Sequence, residues 1–159
     1  MSQYPILAFL AGTGRDDPGR DGAGRTLRDI LAFDDAHIEG VHDYIQWCFP
    51  LHEASLAVPG APVLSRAEAE AIRNDPAALS GLRAALGRMT RFYAETEGWL
   101  RSHDHNHLRI TRILSAVSDL LGPEAAAEFH AFVNARNAGA GAPVNGPSLR
   151  YWDNALRRA

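Results

Sequence analysis

Along most of the chain the apolar positions recur at helical spacing. Leu79, Leu82, Leu86, Met89, Phe92 and Tyr93 form one stripe behind Asp75-Pro76. A cap followed by proline at the first helical position predicts a helix from there to about Leu100. His107, Ile110, Leu114, Val117 and Leu121 share a second stripe, predicting a helix His107–Leu121 that Gly122-Pro123 stops. Pro123 opens another to about Asn134. Thr26 caps a short helix Leu27–Phe33, and Asp34 caps one from Asp35 to about Cys48 that Pro50 ends. Ser65 with Glu68 reads as a capping box for a helix to about Asn74, and Ser148 as the cap of Leu149–Arg158. Tyr4–Leu10 is apolar but too short for periodicity to decide, and is read as a short N-terminal extended arm. The Gly-rich stretches near 12–24 and 137–147 read as mobile connections. The pattern predicts an all-α, compact single-domain bundle of about seven helices over 1–159.

Composition supports this class. Across 159 residues alanine and leucine supply 27 and 17, valine and isoleucine together only 13, and β-branched residues are what a pleated sheet selects. All 16 basic residues are arginine, so lysine Schiff-base and P-loop lysine chemistry is excluded. A net charge of −3 argues against a nucleic-acid footprint. The single cysteine, Cys48, excludes an internal disulfide and a cysteine-cluster zinc site, and points to a cytoplasmic location. No apolar run approaches the ~20 residues of a membrane span, and the start lacks a basic n-region, so it is not read as a signal peptide.

Candidate chemistry concentrates in two places. On a helix 35–48, Ile38, Val41, Ile45 and Cys48 form an apolar stripe, and Asp35, Glu39, His42 and Gln46 a narrow polar stripe beside it, with Tyr44 and Trp47 on the remaining arc. Such a helix is largely buried, and a buried polar stripe either closes a hydrogen-bond network or faces a cavity. Glu39-x-x-His42 has the spacing of a di-metal carboxylate motif, but the second copy such a centre needs is missing, so no metal is assigned. In the second stretch Asn106 and His107 head a helix, and Arg109 and Arg112 share a stripe that would clamp a carboxylate or phosphate, or pair with Asp35, Glu39 or Asp43. His103 and His105 read as a solvated turn capped by Asp104 or Asn106. Gly12-x-Gly14 lacks the third glycine of a dinucleotide fingerprint, and no cofactor is assigned.

Gly24-Arg25-Thr26-Leu27, Phe33-Asp34-Asp35, Ile38-Glu39-x-x-His42-Asp43-Tyr44-Ile45-Gln46-Trp47 and Phe49-Pro50-Leu51 together resemble the conserved domain of opioid growth factor receptors. Pro59-x-Ala61-Pro62 and His105–Leu114 resemble bacterial members, as does the lysine-free composition. Cys48 stands where the family more often has leucine. The vertebrate namesakes are described as receptors for an enkephalin peptide, with long tails and repeats beyond this domain. The resemblance implies the fold and a binding site more than an opioid activity.

These readings converge on a small all-α ligand- or peptide-binding module. The two polar stripes are expected around one pocket, with Asp35, Glu39, His42, Gln46, Trp47, Asn106, His107, Arg109 and Arg112 as ligand-binding residues. The natural ligand is an unknown small molecule or peptide, with an anionic end for the arginines, and a homo-oligomer stays open. Two alternatives remain. An enzyme would use Glu39 and His42 as an acid–base pair with Arg109 and Arg112 as anion clamp, although no nucleophile, metal set or cofactor motif completes it. The other is a structural or partner-binding bundle.

Overall fold

The computed structural model describes residues 3–157. Every regular element among them is helical. In order these are α1 (Pro5–Leu10), a 3-10 turn over Ala11–Gly14, α2 (Leu27–Leu31), α3 (Asp35–Gly40), α4 (Ile45–Cys48), α5 (Arg66–Arg73), α6 (Pro76–Glu95), α7 (His105–Leu120), α8 (Pro123–Gly139) and α9 (Gly146–Ala155). The class is all-α, as the pattern predicts, with nine α-helices among the described residues instead of about seven. No helix among them is long and apolar enough to cross a membrane.

Two differences account for the count. The expected N-terminal extended arm is helix α1. Pro5 presets its first turn, and its free N–H groups are met from far along the chain. Glu68 Oε2, on α5, accepts from Ile6 N at 2.7 Å and Leu7 N at 3.1 Å. Glu68 is therefore not the second half of a box on its own helix. Ser65 Oγ accepts from Glu68 N at 3.0 Å, but the Glu68 carboxylate is turned to α1.

The second difference is that the expected helix 35–48 is broken. Val41 is extended (φ −96°, ψ 131°), and helix resumes only at Ile45. In an unbroken helix the Ile38 and His42 carbonyls would accept from the N–H groups four residues on. Here the Tyr44 hydroxyl donates to Ile38 O at 2.7 Å and the Gln46 amide to His42 O at 3.1 Å. Side chains thus replace the backbone ladder across the break.

Helix ends elsewhere follow the predicted caps or lie close to them. Thr26 and Asp29 close a reciprocal box on α2. Asp34 Oδ1 accepts from His37 N, and Asp75 Oδ1 from Ala77 N and Ala78 N. Asp104 caps α7, which starts two residues before His107. Helix α6 stops at Glu95, five residues short of the expected end. Carbonyls at and just beyond its end are taken by side chains, with the Trp99 indole and the Arg136 guanidinium each donating to the Tyr93 and Thr96 carbonyls. Helix α8 runs to Gly139, into the expected loop, and α9 is capped by Asn145 rather than Ser148.

The chain divides into two units, Met1–Arg88 and Met89–Ala159. The first packs Ile6, Phe9, Leu10, Leu27, Ile38 and Phe49 out of solvent. There Gly81 of α6 lies against the backbone of α1, and a β-carbon at this position would sit 1.8 Å from Leu10 O. In the second, α7 contacts both α8 and α9. Its core is aromatic: Tyr93 meets Phe92 and Trp99 edge-on and Phe129 at a tilt, with ring centroids 5.2–6.3 Å apart, and edge-to-face contact is a geometry that aromatic pairs favour.

Candidate functional site

The first unit holds Asp35, Glu39, His42, Gln46 and Trp47, and the second Asn106, His107, Arg109 and Arg112. The break after Gly40 scatters the first set. Asp35, at the start of α3, receives Arg88 Nη2 on Oδ1 at 2.8 Å. Glu39 is half-buried and His42 exposed on the extended link. Gln46 is buried (6% exposed), its amide nitrogen on His42 O and its Oε1 without a hydrogen bond. Trp47 is half-buried against Phe9, ring centroids 5.8 Å apart. Its indole N–H makes no hydrogen bond to any described residue. Asp35, Glu39, His42 and Gln46 are consequently not one stripe, because a single stripe needs an unbroken helix beneath it.

Two of the second set are held by structural bonds. Asn106 Oδ1 accepts from the Tyr93 hydroxyl at 3.1 Å, and Nδ2 donates to Asp104 Oδ1 at 2.9 Å. His107 is 3% exposed. Its Nε2 donates to Trp99 O at 2.8 Å, its ring meets Trp152 edge-on, and its carbonyl accepts the Trp152 indole N–H at 3.0 Å. Arg109 is buried and Arg112 half-buried. Asp104 is partly desolvated, which opposes ionisation, but the bonds from Asn106 outweigh this and hold its carboxyl below the usual carboxylate range.

Cys48 lies on the apolar side as expected. Burial pushes its thiol far above the ordinary value, the reverse of what a nucleophile requires.

Two ion-pair centres escape the sequence reading. Arg88 has a side chain only 5% exposed. It donates through Nε and Nη2 to Phe33 O and through Nη2 to Asp35, tying α6 to the start of α3. Its signal was present in the chain: it stands between Ala85 and Phe92 on the apolar face of α6, where a charge must have a partner. The other centre is Asp21, whose fully buried side chain accepts from Ala23 N, Arg25 N and Arg25 Nε. Arg25 also reaches Asp43 at 2.6 Å and lies over the Phe33 ring. Burial works against its charge, but the bonds to Asp43 and Asp21 prevail and raise the guanidinium above its ordinary value. Nothing in local periodicity marks this loop aspartate as buried.

Two cavities open within the units. One of about 440 Å³ is lined by the 3-10 turn and the loop after it, with Thr26 and Arg28. The other, about 540 Å³, lies between α8 and the segment after α6, beside Leu100, Phe132 and Arg136. None of the nine sequence-derived candidates lines either.

Residues 26–98 match the family model of the opioid growth factor receptor (OGFr) conserved region. The opioid growth factor receptor of Rattus norvegicus is 35% identical over 118 residues, covering 61% of this chain and 20% of the relative. That of Mus musculus is 33% identical over 101 residues, covering 52% and 16%. The chain spans about a fifth or less of the length of these curated relatives. No solved structure matches.

Proposed function

Given that residues 26–98 carry the opioid growth factor receptor conserved region, we propose that this chain is a ligand- or peptide-binding module in which Trp47, with His42 and Gln46 beside it in sequence, receives the ligand. The relatives are named receptors, and all three residues fall inside the matched segment. The observation that carries the reading is the Trp47 indole, a large aromatic surface left half-open with an unused N–H donor. A buried indole ordinarily finds an acceptor, and an amphipathic ring left open is characteristic of contact surfaces.

The three tryptophans make a direct test. Trp99 and Trp152 are 1% and 0% exposed, so acrylamide quenching of tryptophan fluorescence reports mainly on Trp47. A thermal-shift panel of short peptides and small carboxylates is expected to yield a binder that raises the melting temperature by mass action. The same binder should shield the quenchable tryptophan. Trp47→Phe and His42→Ala should lose the ligand-induced shift while keeping the unliganded melting temperature. A binder that stabilises both variants as it does the parent, or leaves quenching unchanged, refutes the assignment to Trp47.

A further inference from the structure

The cavity of about 440 Å³ in the first unit is lined by Gly12, Thr13, Gly14, Arg15, Asp16, Pro18, Thr26 and Arg28. The geometry points to a second binding site here, and we propose that it takes the carboxylate group of a small molecule. Three observations carry this.

The first is the wall itself. Two guanidiniums come from different elements, Arg15 just after the 3-10 turn and Arg28 on α2. Each is held by one bond. Arg28 Nη2 donates to Thr13 O at 3.0 Å, and Arg15 Nη2 to Asp75 Oδ2 at 3.0 Å. Neither guanidinium makes another hydrogen bond with a described residue, so Nε and Nη1 of both remain as donors. An arginine already held in place loses less freedom when it binds, and its planar fork matches a carboxylate.

The second is the floor. Thr26 is 9% exposed. Its Oγ1 accepts from Asp29 N at 3.2 Å, and the Asp29 carboxylate in turn accepts from Thr26, so this part of the wall is fixed in place. Gly12 and Gly14 present bare backbone beside it. A β-carbon on Gly12 would come within 2.9 Å of the Pro18 side chain, so the turn is closed by contact and is not a loose connection.

The third is charge. The lining carries Arg15 and Arg28 against Asp16, and Arg15 is already paired with Asp75, which leaves Arg28 as the lining cation with no carboxylate bound among the described residues. A monoanion matches that one cation, whereas the second charge of a dianion such as phosphate would stand unmatched beside Asp16. The volume lies within the range of small-molecule sites. This site shares no residue with the Trp47 region, so either proposal can fail alone.

The test is a ¹H–¹⁵N NMR titration of the whole chain at fixed ionic strength, with sodium acetate, sodium propionate and inorganic phosphate as probes and sodium chloride as control. Acetate or propionate should shift the amides of residues 12–16 and 26–28 along a saturating curve, with phosphate at least threefold weaker. Arg28→Gln should weaken the carboxylate at least tenfold, and Arg28→Lys, which keeps the charge but not the fork, to an intermediate degree, both with a folded spectrum. Asp16→Asn should narrow the gap between phosphate and carboxylate. Linear, non-saturating shifts, or curves equal in the parent and Arg28→Gln, overturn the site. Phosphate binding more tightly than acetate and propionate overturns the carboxylate assignment. Should Arg28→Gln fail to fold, the Arg28→Lys and Asp16→Asn comparisons decide by the same criteria.

Discussion

The two units are built by different means. In Met1–Arg88 the helices α1 to α5 are four to eight residues long, too short to persist on their own in water. They are fixed from outside by polar groups and close backbone contacts. Glu68 meets the start of α1, Arg88 ties α6 to the start of α3, and Gly81 admits the backbone of α1. In Met89–Ala159 the helices α7, α8 and α9 have 16, 17 and 10 residues. They are held by broad apolar and aromatic faces, with a buried histidine taking up the stray polar groups. Short elements need specific partners, each of which matters singly. Long elements distribute their stability over many contacts.

The sharpest way to break this contrast is a matched pair on one helix. Gly81→Ala puts a methyl into Leu10 O and should cost about 3 kcal/mol, at the upper end of overpacking effects. Gly87→Ala, six residues on, meets nothing within 4 Å and should be neutral or stabilise by up to about 1 kcal/mol through helix propensity. Urea denaturation of both variants reads the difference. Equal effects would remove the close approach of α1 as a determinant of the first unit.

The next effect is smaller. Glu68→Ala leaves two N–H groups at the start of α1 without their acceptor. The cost should be about 2 kcal/mol, since unsatisfied buried donors lose their full desolvation energy. Hydrogen exchange should show Ile6 and Leu7 losing protection first.

The smallest probes the second unit. Trp152→Phe keeps an aromatic ring but loses the N–H bond to His107 O and should cost about 1.5 kcal/mol by thermal melting. A cost above that of Glu68→Ala would mean that single polar contacts matter as much in the second unit as in the first.

Legibility in the sequence followed the same division. The long stripes of α6 and α7 were visible because packed helices repeat their apolar face every turn. The caps Thr26, Asp34, Ser65 and Asp75 were visible because capping is local chemistry. Asp104 was one of two caps expected for α7. Where the pattern misled, a distant side chain had replaced a local one. The apolar run Tyr4–Leu10 is ambiguous until Glu68, sixty-two residues away from Ile6, supplies its acceptor. The run 35–48 has helical periodicity throughout, yet Tyr44 and Gln46 take the carbonyls that would carry the helix across Val41.

The candidate site was affected most. The residue types around Trp47 were read directly, and they carry the family resemblance, but their arrangement as a stripe rested on the unbroken helix. His107 points inward, as its stripe predicts, but its bonds to Trp99 and Trp152 are tertiary facts. The position of Arg88 on an apolar face marks it as a charge that needs a partner.

By itself, then, the sequence determined the all-α class, most helix starts, an unreactive Cys48 and the kinship of residues 26–98 with the OGFr conserved region. The class and the helix starts depend on propensity, period and capping, which act within a few residues, and the kinship on the residue identities of the matched segment. Tertiary structure alone decided that α1 is a helix, that the 35–48 segment breaks, that Asp21 and Arg88 are buried with their partners, and that Arg15 and Arg28 share a cavity. Each depends on groups brought together by packing, and no local pattern records which distant carboxylate, carbonyl or guanidinium will be there to meet them.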